Sequence, residues 1–123
     1  TEVFMDTLKE FQRIMTTQTD LALSTVGTDG NPNVRIVNYY FNPKNNVIYF
    51  ATFKDNKKVQ EIDQNRNVAF TTIPTNGNEH IKARGIAVRS KQTVFDLADC
   101  FCEIHFKTAT VTLDLSNIQT ITL

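Results

Sequence analysis

The stretch Val47-Ile-Tyr-Phe-Ala-Thr-Phe-Lys-Asp-Asn-Lys-Lys-Val-Gln-Glu-Ile62 changes its period half-way along. Up to Thr52 it is an unbroken run of β-branched and aromatic residues, the pattern of a strand covered on both faces. Beyond it the pattern turns helical, with Val59 and Ile62 on one face. Thr52, Lys54, Lys57 and Lys58 stand at the junction. A strand feeding a helix leaves free backbone N–H groups and a positive dipole end at the first turn, and lysines there add charge of the same sign. The junction therefore reads as a phosphate pocket for a nucleotide-like cofactor. The plainer alternative is a solvated basic turn without a ligand.

The surrounding chain bounds that reading. With 123 residues, 41% hydrophobic and 21% charged, it is one globular domain with material for a single core. Nine Phe and three Tyr supply bulk in the absence of Trp. Lys plus Arg and Asp plus Glu number 13 each, so no overall field favours nucleic acid or an anionic membrane. No apolar run approaches the ~18–20 residues of a membrane helix. Neither a signal-peptide layout nor a disulfide framework is visible, since the two cysteines are separated by one residue. A cytoplasmic protein is the expectation.

Working outward, Phe4, Leu8, Phe11 and Met15 recur at helical spacing over 3–16, predicting an amphipathic helix laid on a core. Leu21–Val26 and Asn33–Phe41 read as strands joined by the Gly27-Thr-Asp-Gly30 turn, and Asn42–Asn46 turns into Val47–Thr52. Together they predict a three-strand antiparallel meander. After a helix near 55–64, strands are expected at Asn67–Ile73 and Ile81–Ser90. A helix is expected at Thr93–Glu103, with Val94, Leu97, Ala98 and Phe101 as its apolar stripe. Ala109, Val111, Leu113 and Leu115 alternate with polar residues as a half-buried strand, and Ile118–Leu123 follows as the last one. Six or seven short strands with two or three helices predict a small antiparallel barrel.

Two further patterns carry chemistry. Gly30-Asn-Pro-Asn-Val-Arg35 sets an arginine on an otherwise apolar strand. A guanidinium there is costly to bury unless paired, and phosphate is a good planar partner; the plainer reading, favoured for this residue taken alone, is a surface arginine on an edge strand. Cys100, Cys102 and His105 form C-x-C-x-x-H, which raises a metal site. On a helix, however, positions i and i+2 diverge and no fourth ligand is evident. A buried thiol pair near a helix end is expected, with no metal.

Taken in order, Gly30-x-Pro32-x-x-Arg35, Tyr49-Phe-Ala-Thr52, Asn56-Lys-Lys-Val59, Asn65 and Gly85-x-Ala87 resemble the pyridoxamine 5′-phosphate oxidase-like family over about Leu21 to Val88. The resemblance implies a mainly β fold, the FMN-binding split barrel, as a homodimer with FMN in clefts between subunits. It implies that Arg35 and the strand residues Ile36, Val37 and Asn38 contact FMN. Ala51 and Thr52 would lie on the ribityl-phosphate side, and Lys57 and Lys58 would hold the phosphate. His80 falls where the oxidases place a glutamine that reaches FMN from the other subunit. Its plainer reading is an exposed loop histidine.

The departures from the family pattern argue against true pyridoxamine-phosphate oxidase activity. Tyr40 stands where the oxidases carry a lysine near the flavin and Ala51 where they carry a tyrosine. The arginine and histidine of their C-terminal segment have no counterpart in the Thr-rich end of this sequence. Loss of the lysine removes a charge that would favour reduced, anionic flavin. An FMN-dependent oxidoreductase of unknown substrate is the leading expectation. The alternatives are a non-catalytic flavin sensor or carrier, a haem-binding member, and a deazaflavin (F420) binder.

Overall fold

The computed structural model describes residues 6–91 and 100–123. Helix α1 (Thr7–Thr17) is followed by strands β1 (Asp20–Val26), β2 (Pro32–Asn38), β3 (Tyr40–Asn42) and β4 (Val47–Thr52). Helix α2 (Lys57–Gln64) then leads to β5 (Asn67–Thr72), β6 (His80–Arg89), β7 (Cys100–Asp114) and β8 (Asn117–Thr122). The antiparallel order is β2-β1-β5-β6-β7-β4-β3, with β8 paired to β7. The two ends of this order, β2 and β3, are consecutive in the chain. The sheet thus curls into a barrel split where one strand passes from one edge to the other.

That passage corrects the expected meander. The predicted strand 33–41 is broken at Tyr39, so that β2 pairs with β1 whereas β3 pairs with β4. Tyr39 donates its amide hydrogen to the Thr19 carbonyl at 3.0 Å and its hydroxyl to the Met15 carbonyl at 2.8 Å. Both acceptors flank the end of α1, so the helix pins the residue at which the chain changes sides.

The expected two-sided burial of the opening stretch is borne out. Val47, Ile48, Tyr49, Phe50 and Thr52 are buried and only Ala51 is exposed. Helix α1 starts where the Asp6 carboxylate accepts from the Lys9 amide, and it buries Phe11, Ile14 and Met15. Leu8, expected on that face, is instead 46% exposed, and Phe4 lies outside the described residues. Phe11 meets Phe106 and Phe41 edge-on at centroid distances of 4.9 and 5.7 Å, and Phe106 meets Phe70 at 5.5 Å. Four aromatic rings from α1, β3, β5 and β7 therefore meet in one core.

The predicted helix at 93–103 falls partly outside the described residues, and its last four positions are corrected. Cys100 to Glu103 begin β7, paired with Thr52 to Tyr49 of β4. Cys100, Cys102, Ile104 and Phe106 alternate inward, a period of two that helical spacing cannot produce. Register shifts where Arg84 and Gly85 pair with Thr108 and Phe106, leaving Lys107 as an extra residue in β7. The bulge returns Ala109 and Val111 to the inner face. Gly85 is required there, because a Cβ would stand 2.4 Å from the His105 carbonyl oxygen. Leu115, expected as the end of the buried alternation, lies in the β7–β8 turn and is 93% exposed.

Candidate functional site

A cleft of about 400 Å³ opens beside the β4–α2 junction. Its walls come from β2 (Ile36, Val37, Asn38), the Tyr39–Tyr40 crossover, β4 (Tyr49, Phe50, Ala51), Lys58 of α2 and Phe101 of β7. Five residues singled out from the sequence, Ile36, Val37, Asn38, Ala51 and Lys58, thus converge on one space. Tyr39, Tyr49, Phe50 and Phe101 were not singled out, because a wall residue in an apolar strand looks like any core residue. A second cavity, about 590 Å³, lies on the outer sheet face among Ser24, Val34, Thr71, Lys82, Arg84 and Thr108. It is larger, but it contains none of the residues at the strand–helix junction.

The remaining candidates surround the cleft or stand away from it. Thr52 is buried opposite Cys100, and Lys57 is exposed at the start of α2. Neither lines the cleft. His80 opens β6 opposite Thr112, its Nδ1 2.7 Å from the Asn78 carbonyl oxygen, and does not line the cleft within this chain. Asn56 caps α2 by accepting from the Lys58 amide, which leaves the Lys58 side chain at the cleft. Partial burial, with help from the nearby Arg35 guanidinium, pushes the Lys58 ammonium below its ordinary pKa.

Arg35 points inward from β2 and is 24% exposed. Its Nη1 donates to Thr25 Oγ1 at 2.6 Å, to the Asn33 carbonyl at 3.2 Å and to the Leu23 carbonyl at 3.3 Å. Its Nη2 lies 3.6 Å from the Glu61 carboxylate, which is only 2% exposed. Glu61 accepts from Asn33 Nδ2 through both oxygens, at 3.1 and 3.0 Å, and from Thr25 Oγ1 at 3.2 Å. The arginine thus has a built-in counter-ion that the sequence reading missed. The available signal was a carboxylate next to Ile62, on the side of the helix that faces the sheet.

The two thiols are buried as expected, but on a strand rather than near a helix end. His105 is on the opposite face of β7 from them, with Nε2 2.9 Å from Glu103 Oε2. Among the described residues no group of three His, Cys, Asp or Glu side chains could hold a metal ion. Burial, reinforced by neighbouring Cys100, pushes the Cys102 thiol up to about 12. The unfolded chain loses this proton above an ordinary thiol pKa of about 8.5, whereas the folded chain retains it towards 12. Stability from this group is therefore complete below that lower value and is lost as pH rises. Urea unfolding between pH 8 and 11 should show a steeper loss for the native chain than for Cys102→Ala. Parallel losses would refute the assignment.

A sequence model described as pyridoxamine 5′-phosphate oxidase-like matches residues 14–116. The chain belongs to the pyridoxamine 5′-phosphate oxidase-like family. A pyridoxine/pyridoxamine 5′-phosphate oxidase of Leptospira biflexa is 36% identical over 69 residues, spanning 56% of this chain and 32% of its own. The chain therefore covers about a third of the length of the curated relatives it matches. General stress protein 26 of Bacillus anthracis superposes with a TM-score of 0.79 at 18% identity, over 97% of this chain and all of that one. A heme binding protein of Mycobacterium smegmatis superposes with a TM-score of 0.82 at 11% identity, over 98% and 60%. These structures share the family's split barrel, as expected from the sequence.

The cleft suits the flat, anionic cofactor implied by the family resemblance. Its volume lies within the roughly 300–1,000 Å³ of small-molecule sites. Ile36, Val37, Ala51 and Phe101 offer apolar surface to a ring system, while Lys58 offers charge to a phosphate.

Proposed function

We propose that the chain is an FMN-binding flavoprotein and an oxidoreductase of undetermined substrate. The observation that carries this reading is the convergence of β2, β4 and Lys58 on one cleft. Ile36 to Asn38 would lie along the ring system, Ala51 and Thr52 would border the ribityl phosphate, and Lys57, Lys58 and Arg35 would supply positive charge. Bound flavin would supply hydride chemistry, while the protein orients it and limits access. Asn38 is held for this role by donating Nδ2 to the Thr19 carbonyl at 3.0 Å and to Asp20 Oδ1 at 3.2 Å. The proposal includes a cytoplasmic homodimer formed across the outer sheet face, where Val34 and Ile36 stand exposed. His80 would then act at the partner's cleft.

The test is the visible absorption of protein purified without added cofactor, with light scattering on the same sample. A flavin spectrum, FMN released on heating and a dimer mass support the reading. A Soret band would replace FMN with haem. A colourless monomer that does not bind added FMN would overturn it. Lys58→Ala should weaken FMN binding by about 1.5–3 kcal/mol, the scale of a hydrogen bond to a charged group. Unchanged affinity by titration would remove Lys58 from the site.

A further inference from the structure

Glu61 is a buried carboxylate for which the proposed cofactor has no direct use, and it lies one helical turn beyond Lys57 and Lys58. We propose that it is a positioning residue, setting the Arg35 guanidinium, which does not itself line the cleft but lies near Lys58, which does, for a phosphate-bearing ligand. The inference rests on the FMN reading above. Two arms reach from Glu61 to Arg35. In the first, Thr25 donates its hydroxyl hydrogen to Glu61 at 3.2 Å, which turns an oxygen lone pair towards Arg35 Nη1 at 2.6 Å. In the second, Asn33 donates to both Glu61 oxygens while its own carbonyl accepts from the same Nη1.

Nη1 is therefore held by three acceptors, two of which belong to residues fixed by Glu61. The Nη2 edge is held loosely, at 3.6 Å from the carboxylate. A guanidinium anchored on one side and loose on the other is pre-organised to donate a planar pair of bonds to an anion. The nearby Lys58 supplies the second charge. Glu61 also opposes an anion by its own charge. Its carboxylate, however, is already occupied by three donated hydrogen bonds that spread this charge. Orientation therefore outweighs repulsion in the proposal.

Glu61→Gln decides between the two effects. A glutamine amide has the same shape, but its N–H₂ end must replace one of the two oxygens to which Asn33 donates, whereas the Thr25 hydroxyl can turn to donate or accept. The Asn33 arm keeps only one of its two bonds to residue 61, and the negative charge disappears. Binding of FMN should weaken about tenfold, the scale of one charge-assisted hydrogen bond, and the loss should vanish when Arg35 is already alanine. In ligand-free protein, the separate Nη signals of Arg35 in ¹⁵N NMR should merge in Glu61→Gln as rotation about Nε–Cζ is freed. Equal or tighter FMN binding by Glu61→Gln would make the carboxylate a mere counter-charge and overturn the proposal. So would an undiminished loss in the Arg35→Ala background, or unchanged Nη signals. If the native chain binds no FMN, the functional reading falls. The NMR comparison then decides by itself whether Glu61 sets Arg35.

Discussion

Replacing Phe11 with alanine is expected to cost about 3–5 kcal/mol of folding stability, the range of a large aromatic deleted from a core. Phe11 is 0% exposed, and its ring is the one by which α1 enters the barrel, edge-on to Phe106 and Phe41. No neighbouring element could refill the space without moving the helix. The consequence extends to the cleft, because α1 also holds Tyr39 through the Met15 carbonyl, and Tyr39 marks the passage from β2 to β3. Leu8→Ala on the same helix removes a 46% exposed side chain and should change stability by no more than about 0.5 kcal/mol. Urea unfolding of the two variants checks the contrast. A Phe11→Ala loss below about 1 kcal/mol, on the same scale, would mean that α1 is not docked as described.

The β4–α2 junction was legible because its signal is local. An apolar run that switches to helical spacing needs no partner for its interpretation, and the lysines at the first turn are adjacent in sequence. The break at Tyr39 was not legible, because it is imposed by hydrogen bonds to the far end of α1. Residues 33–41 alternate well enough to pass for one strand, and only the tertiary anchor divides them. Cys100–Glu103 failed for a related reason. Four residues with a Phe and two Cys contain too little period to separate strand from helix, and the assignment followed the preceding apolar spacing. Gly85 was noted as part of a motif, but its physical reason, the close approach of the His105 carbonyl at the bulge, lies in another strand. Glu61 was the costliest omission. On an amphipathic helix a glutamate reads as the solvent side, and its partners Asn33 and Arg35 are far away in sequence.

That omission changes what is expected of Arg35. Read alone, the arginine on β2 passed for a surface residue on an edge strand, and only with its neighbouring motifs for the partner of a phosphate; in the structure it is already satisfied by Thr25, two carbonyls and Glu61. Arg35→Ala therefore acts on the fold and on the proposed cofactor together. It leaves Glu61 buried with two neutral donors and no cation, and breaking a buried pair in this way costs about 3–5 kcal/mol. The partial exposure of the guanidinium and the 3.6 Å separation place the expected value at the lower end. Adding Glu61→Gln should return part of that stability, since the buried charge goes with its partner, and the excess over additivity measures the coupling. Arg35→Lys preserves the charge but not the fork. A single ammonium cannot reproduce three Nη1 bonds while facing Glu61. On the proposed reading FMN affinity should fall in the order native, Arg35→Lys, Arg35→Ala, by titration at constant salt. Equal losses in the two variants would assign the contact to fork geometry rather than charge. No loss in either would leave Arg35 a structural counterpart of Glu61, with phosphate binding resting on Lys57, Lys58 and the first turn of α2.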